Sequence, residues 1–450
     1  MYDFGPITAQ GDPNLLKYFH VTNQIASIIN DSSNMNGFIM VVRPGGGKTA
    51  LYTWLNNKLN DRKVISINSD VVRFVFKDDN DATSEDHRVL ISAELSAAVI
   101  SLISKDADTP DPIKVKCKNY LDNFWETTWE SAKSKFEGIN ILGCGFSMAS
   151  SDRKSYLEKI RKEKKLDQAT VLIREISSVR KIMIIVDNPE SIVGLGLEDV
   201  THDNGIRIGA FLSSLSFLYS LGIQVIAFVK EHIIQAVAEY YRDYNQYQNR
   251  IDGLEWTEDD LLKVVENRIS TIMNYDWDDV FDIDKMSFAN LVLPYLINGP
   301  RDLLYICDKS KKCSGKITKE VLTNSIDLLR NSKWSQIKNE FGLSWPKIDL
   351  FTKNIIELIP TRNRSGITKA RMMELITGAM KDSQSQLYDL RKQEDWINSA
   401  LVGDPTIEDK LFLIGAIGYE LDGNLYYPWS GRFVDRFHQS NKVFISPLLI

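Results

Sequence analysis

The sequence predicts an α/β protein: a three-layer core on a parallel sheet, then a helical lid, then a C-terminal winged-helix-like domain. Three observations predict this. Apolar runs of strand length alternate with helical patterns through the first half, as in parallel sheets joined by right-handed crossovers. From Leu254 onward apolar residues recur mainly at helical spacing. Near the C-terminus, "YELDGNLYY" sets the Asp422-Gly423 pair between alternating apolar residues, a strong hairpin signal.

Taken in order, "LLKYFHVTNQIASIIN" has helical spacing and "GFIMVV" (Gly37 to Val42) is a continuous apolar run of strand length. A helix starts near Lys48, and "KVISIN" (Lys63 to Asn68) reads as a second strand. Two further buried strands, "KIMIIVD" (Lys181 to Asp187) and "IQVIAFV" (Ile223 to Val229), flank the helical pattern "GIRIGAFLSSLSFLYSLG". The mostly helical stretch over about residues 84–180 reads as an insertion, so residues 1–253 are expected to form a core domain carrying a helical insert. Its charged run "DRKSYLEKIRKEKKLDQA" mixes signs and reads as a solvated helix face more readily than as a nucleic-acid patch. "GINILGCGFSM" reads as a small hairpin or loop.

The lid is expected over residues 254–332. It opens with "WTEDDLLKVVENRISTIM", where Thr257 and Asp260 form a box-like N-cap before the stripe Leu261, Val264, Val265 and Ile269. Residues 333–450 are expected to form the C-terminal domain, its helices followed by the terminal hairpin.

The length of 450 residues favours two or three domains, and 43% apolar with 25% charged residues is an ordinary globular balance. A net charge of −6 argues against a surface built throughout to neutralise a phosphate backbone. Cys117, Cys144, Cys307 and Cys313 form no C-x-x-C pair, and the five histidines stand apart from them, which suggests neither zinc site nor disulfide framework. The sequence shows neither an export signal nor a run of about twenty apolar residues, so a cytoplasmic location without membrane spanning is expected.

The most informative text is "VVRPGGGKTALYTWL". A phosphate loop works because successive backbone N–H groups point at phosphate oxygens, glycines let the backbone approach, and the following helix presents its positive end. Against G-x-x-x-x-G-K-[ST], Gly47, Lys48 and Thr49 are in register, and only the opening glycine is replaced, by Val42. That position lies at the strand-to-loop junction, so valine should reshape the approach to the loop more than abolish binding. The expected nucleotide contacts are Arg43, Pro44, Gly45, Gly46, Gly47, Lys48, Thr49 and Ala50. The strand before and the helix after are the context that separates such a loop from an ordinary glycine-rich turn.

Asp187 closes an apolar strand, where an acid can order Mg²⁺; a residue capping the loop start is the plainer alternative. Thr49 and Asp187 are thus the candidate metal residues. Asn188 follows where a second acid often polarises the attacking water, which leaves Glu190 for that role or makes hydrolysis slow. Lys230, after "VIAFV", is a candidate γ-phosphate contact, with the polar end of a core strand as an equal reading. Arg301 starts a helix in "NGPRDLL" and is a candidate lid cation, or else the partner of a neighbouring acid. Arg268 in "VENRI" is weaker, on a helix face expected to meet solvent.

With these motifs in order, the chain resembles bacterial P-loop ATPases related to the STAND and AAA+ groups, over roughly Asn36 to the C-terminus. The resemblance implies a P-loop NTPase core, a helical lid and a winged helix. It implies that Lys48 and Thr49 bind phosphates and Mg²⁺, that Asp187 orders the metal, and that Arg301 is the lid sensor. Such proteins commonly carry D-D-x-D at the second motif, where this chain reads Asp187, Asn188, Pro189, Glu190. They serve as switches, often beside an effector in phage-defence loci, so a protein partner and homo-oligomeric assembly are implied.

Three functions follow. The first is an ATP-driven regulatory switch, and no guanine-reading N-K-x-D text appears. The second is a DNA-acting ATPase using the winged helix, supported by Arg362, Arg364, Lys369 and Arg371 but opposed by 15 basic against 14 acidic residues over 333–450. The third is a nucleotide-binding scaffold without turnover, motivated by Val42 and Asn188.

Overall fold

The computed structural model describes residues 2–30, 39–41, 45–58, 63–67, 83–129, 150–187, 189, 202–230, 233–234, 237, 241, 251–311, 315–342, 344–402, 406–430 and 434–450. The loop expected in "GINILGCGFSM", Cys144 and Cys313 lie outside them.

Among the described residues, the first half holds five strands: β1 (Ile39–Val41), β2 (Lys63–Ile67), β3 (Ile182–Asp187), β4 (Gln224–Val229) and β5 (Ile251–Gly253). They form one parallel sheet in the order β2-β3-β4-β1-β5. The chain therefore places β4 between the strand leading to the glycine loop and the strand ending in Asp187. Val41 pairs with Val229, and Asp187 with Phe228, so these strand ends finish nearly level at one edge.

Alternation along the strands divides their side chains between two faces. Ile182, Ile184 and Val186 join Val225 and Ala227 in one buried cluster, under helices Ser84–Ser104, Asp111–Trp129, Ser150–Lys162, Lys165–Val179 and His202–Ser220. Met183, Ile185, Ile226 and Phe228 meet Ile25, Leu51 and Leu55 on the other. The sheet thus lies between two helical layers. The stretch expected as an insertion supplies much of the first layer, so those helices complete the core. Burying one sheet face requires such a cover, and only strand order reveals which segment provides it.

One of these helices is long and apolar enough, by length and composition alone, to cross a membrane. Ser84–Ser104 reaches a mean hydropathy of 1.4 over 18 residues, and 61% of that window is buried within the fold. It carries Glu94, whose carboxyl burial pushes up to about 8. A long apolar helix is expected where both a sheet and flanking helices must be covered.

The second half begins with helix Glu258–Arg268, capped as expected: Thr257 accepts from Asp260 N at 3.1 Å and Asp260 accepts from Thr257 N at 3.2 Å. Leu261, Val265 and Ile269 point into the core. The boundary expected at residue 332 falls inside helix Lys319–Phe341, which runs unbroken from the lid into the C-terminal region. A single apolar cluster extends from Trp256 and Leu261 through Leu329 and Ile337 to Ile417 and Leu448. Propensity reads that helix correctly, but nothing local shows that its two ends serve one core.

The C-terminal region combines helices such as Ile348–Leu358, Lys369–Ala379 and Ile407–Leu413 with a four-stranded antiparallel sheet. Its strands, β6 (Ile367–Thr368), β7 (Ile417–Leu421), β8 (Asn424–Tyr426) and β9 (Lys442–Ile445), lie in the order β6-β9-β7-β8. The expected hairpin is present: Leu421 pairs with Asn424 across Asp422 (φ 51°) and Gly423 (φ 78°). Two left-handed residues make the twist of that turn match the strands it joins.

The N-terminal segment crosses onto the second half. Phe4 is buried in the second-half core, and Tyr2 N donates to the Lys311 carbonyl at 3.3 Å. Arg268 holds this strap by donating to the carbonyls of Phe4 at 2.6 Å and Pro6 at 2.8 Å, with its guanidinium 4.5 Å from the Tyr18 ring centroid. Arg268 is only 4% exposed, which corrects the solvent-facing expectation. The segment that buries it comes from the far end of the sequence.

Candidate nucleotide-binding site

Helix Lys48–Lys58 begins directly after the glycine loop, and its Leu51 and Leu55 bury it against the sheet. Gly45 and Gly47 have φ of 79° and 92°, the left-handed region that glycine enters without steric cost. Space also demands them. A Cβ on Gly45 would lie 2.8 Å from Asn298 Cβ and 3.0 Å from Arg301 Cβ, and one on Gly47 would lie 3.1 Å from Trp256 Cζ2. The loop is therefore packed against two segments of the lid, Trp256 and the Asn298-Gly299-Pro300-Arg301 turn.

Lys48 Nζ lies 2.9 Å from Asp187 Oδ1. The loop lysine and the acid at the end of β3 thus meet across the end of β4, although far apart in sequence. Both are partly exposed, so the pair is within reach of a ligand from solvent. Thr49 is exposed in the first helical turn, beside half-buried Ala50. Lys230 directly follows β4 and is half-buried. Open parallel sheets place ligands outside the carboxyl ends of their strands, and these residues share that edge.

Arg43, Pro44 and Glu190 lie outside the described residues, as do Val42 and Asn188. Of the expected nucleotide contacts, those that are described, Gly45, Gly46, Gly47, Lys48, Thr49 and Ala50, form one continuous segment. No group of three or more metal-ligating side chains is found among the described residues.

Arg301 stands at the start of helix Pro300–Ser310, its Cβ beside Gly45 and its side chain 47% exposed. Its Nη1 lies 3.6 Å from Glu340 Oε1, so the residue faces the loop and also pairs with an acid. Burial raises the Glu340 carboxyl above its usual range, with the charges of Arg301, Lys333 and Lys230 acting against that rise. Beneath Arg301, Asp302 accepts from the N–H groups of Ile297 (2.9 Å) and Asn298 (2.8 Å) and from Lys333 Nζ (2.8 Å). Asp302 and Lys333 are 2% and 1% exposed, so the turn against the loop is locked to the long helix by a buried ion pair.

Trp256, Asn298, Lys333 and Glu340 are the residues at this site that sequence reasoning passed over. Trp256 opens the quoted "WTEDDLLKVVENRISTIM" text without a role, and a lid ended at residue 332 leaves out both Lys333 and Glu340.

The basic cluster proposed for DNA is largely engaged within the fold. Arg364 donates to the carbonyls of Ile359 at 3.3 Å and Ile356 at 3.2 Å, capping a helix end. Lys369 donates to the Phe437 carbonyl, and Arg371 pairs with Glu374 at 2.5 Å. Arg362 is exposed.

No family model matches the sequence, and no curated protein does. Among solved structures, the chain is similar to the Aeropyrum pernix ORC2 protein in its ADP form, at 9% identity over 95% of this chain and 96% of that chain, with a TM-score of 0.37. It is also similar to the same protein in ADPNP-ADP complexes, at 10% identity over 95% and 96%, with a TM-score of 0.38. Likeness at that level carries no argument, and the site stands on this chain's own geometry.

Proposed function

We propose that this chain is a nucleotide-controlled switch: a P-loop ATPase of the AAA+-related type that binds ATP with Mg²⁺, turns it over slowly, and passes its state to a protein partner. The observation that carries this reading is the 2.9 Å pair of Lys48 and Asp187 at the mouth of a loop whose Gly45 and Gly47 adopt left-handed conformations. An anion accepted by the loop competes with Asp187 for Lys48, which frees the carboxylate. Thr49 and Asp187 then supply the hydroxyl and carboxylate oxygens that suit Mg²⁺. The ion, when bound, neutralises charge developing on the transferred phosphoryl group.

Arg301 fits the lid role because its helix begins against Gly45, and Lys230 fits a phosphate contact because it follows the strand between loop and acid. Glu190 is the remaining carboxylate of the second motif able to accept a proton, since the amide of Asn188 cannot. The lid and C-terminal region share one core, which supports their answering the nucleotide as a unit. Homo-oligomeric assembly and a phage-defence setting enter this proposal through the resemblance, and a cytoplasmic location through the expectation drawn from the sequence. The DNA-acting alternative draws less support, because Arg364 and Lys369 are already used internally.

The test compares ATP affinity and steady-state hydrolysis of the parent with those of Lys48→Ala and Glu190→Gln. Loss of the lysine is expected to weaken binding by about 10- to 100-fold, and Glu190→Gln to reduce turnover while sparing affinity. A parent that binds no nucleotide overturns the proposal. Tight binding without turnover, indifferent to Glu190→Gln, favours the scaffold instead.

A further inference from the structure

Trp256 is the lid residue that touches the loop backbone. Its indole Nε1–H donates to the Gly46 carbonyl at 3.0 Å, and its ring lies where a Cβ on Gly47 would be 3.1 Å away. The same residue is held from the opposite end of the chain: Trp256 N donates to the Ser430 carbonyl at 3.3 Å. Ser430 closes the Pro428–Ser430 turn, which follows β8 of the terminal hairpin. A Cβ on Gly299, in the turn against the loop, would lie 3.8 Å from Trp256 Cδ1 and 3.6 Å from the Trp429 carbonyl. Loop, lid turn and hairpin exit therefore converge on one indole.

A second observation shows that this junction is poised. Trp429 is 6% exposed, and its Nε1 is buried with no hydrogen-bond partner among the described residues. A buried indole donor left unsatisfied is costly, and arrangements that provide it with an acceptor are favoured over this one.

We infer that Trp256 is a positioning residue which fixes the Gly46 carbonyl and relays the geometry of the phosphate loop to the hairpin exit at residues 428–430. Its nucleotide-linked part rests on the ATP-binding reading above; its mechanical part does not. Orienting the Gly46 carbonyl also orients the adjoining peptide N–H, because the peptide unit is planar. A loop that changes shape around an anion must turn that carbonyl, and the indole that follows it carries the Ser430 contact along. The terminal hairpin is thereby coupled to a site with which it shares no strand.

Trp256→Phe in the full chain keeps an aromatic ring in the core and removes the indole N–H together with its five-membered ring. Hydrogen–deuterium exchange without nucleotide tests the relay first. Amides in segments 45–50 and 424–430 are both expected to exchange about fivefold faster, the size expected for one lost hydrogen bond. Faster exchange in the loop alone, or in neither segment, overturns the relay whatever the protein binds. ATP is then added to parent and variant. The parent is expected to alter exchange at 424–430, while the variant binds about fivefold more weakly and loses that response. A variant equal to the parent in affinity and in the hairpin response overturns the positioning role. If the parent does not bind ATP, the nucleotide reading fails, and the ligand-free comparison still decides the relay. Trp256→Ala, which also removes the ring from the core, checks by circular dichroism that effects on exchange are separable from unfolding.

Discussion

Two junctions in this chain look alike in sequence and differ in structure. Between the lid and the C-terminal region the apolar cluster is continuous, and one helix, Lys319–Phe341, runs through the junction. Between the first half and the lid, Leu254 packs into the sheet-side cluster and the remaining named contacts are directional: His20 with Asp260 at 2.7 Å, Gln24 with Glu255 N at 3.1 Å, and Trp256 with Gly46 at 3.0 Å. Continuous apolar packing resists separation, whereas a few hydrogen bonds can be exchanged for others at little net cost. The joint suited to movement is therefore the one beside the glycine loop.

The largest expected effect comes from attacking the fused junction. Lys333→Met strands the Asp302 carboxylate in the core and is expected to cost about 3–5 kcal/mol. Urea unfolding followed by hydrogen exchange should show lid residues 303–310 and hairpin residues 417–426 loosening together. Loosening of the lid alone would break the comparison.

A smaller effect is expected at the strap. Arg268→Met leaves the Phe4 and Pro6 carbonyls without their donor and is expected to cost about 1–3 kcal/mol. Limited proteolysis should then cut within residues 2–12 sooner, while the sheet strands keep their protection. Equal loss of protection in the sheet would place the strap on the wrong body.

The smallest effect separates the two halves by pH. Glu94, in the sheet-covering helix, has a carboxyl raised from 4.5 to about 8 by burial, so the folded state binds more protons than the unfolded state between those values. Stability of the first half accordingly falls as pH rises from about 4.5 to about 8 and is flat beyond. Glu94→Gln removes that loss and is expected to raise Tm at pH 8, with little change at pH 4.5. A Tm gain that is the same at both pH values would contradict the assignment.

The parts legible in the sequence are those fixed by local chemistry. The glycine loop, Asp187 at a strand end, the Thr257–Asp260 cap and the Asp422-Gly423 turn each occupy a few consecutive residues whose backbone demands are particular. Strand order was not legible, because β1 pairs with β4 and β5 through residues that carry no pairing signal. Glu340 and Lys333 were missed for a related reason: they reach the site only because a long helix returns to it. Strands of two and three residues, such as β6 and β5, are too short to show a period. Arg268 was misread because its burial depends on a segment from the opposite end of the chain.

The position of β1 has a consequence for how the chain is made. Ile39 faces Ala227 on one side and Ile251 on the other, and both are synthesised long after it. At about 5–20 residues per second, the strand leaving the ribosome waits roughly 10–40 s for its neighbours. Throughout that interval two hydrogen-bonding edges of an apolar segment stand open to other nascent chains. The architecture that brings Lys48 to Asp187 therefore leaves β1 without both of its pairing partners until residue 253 has emerged.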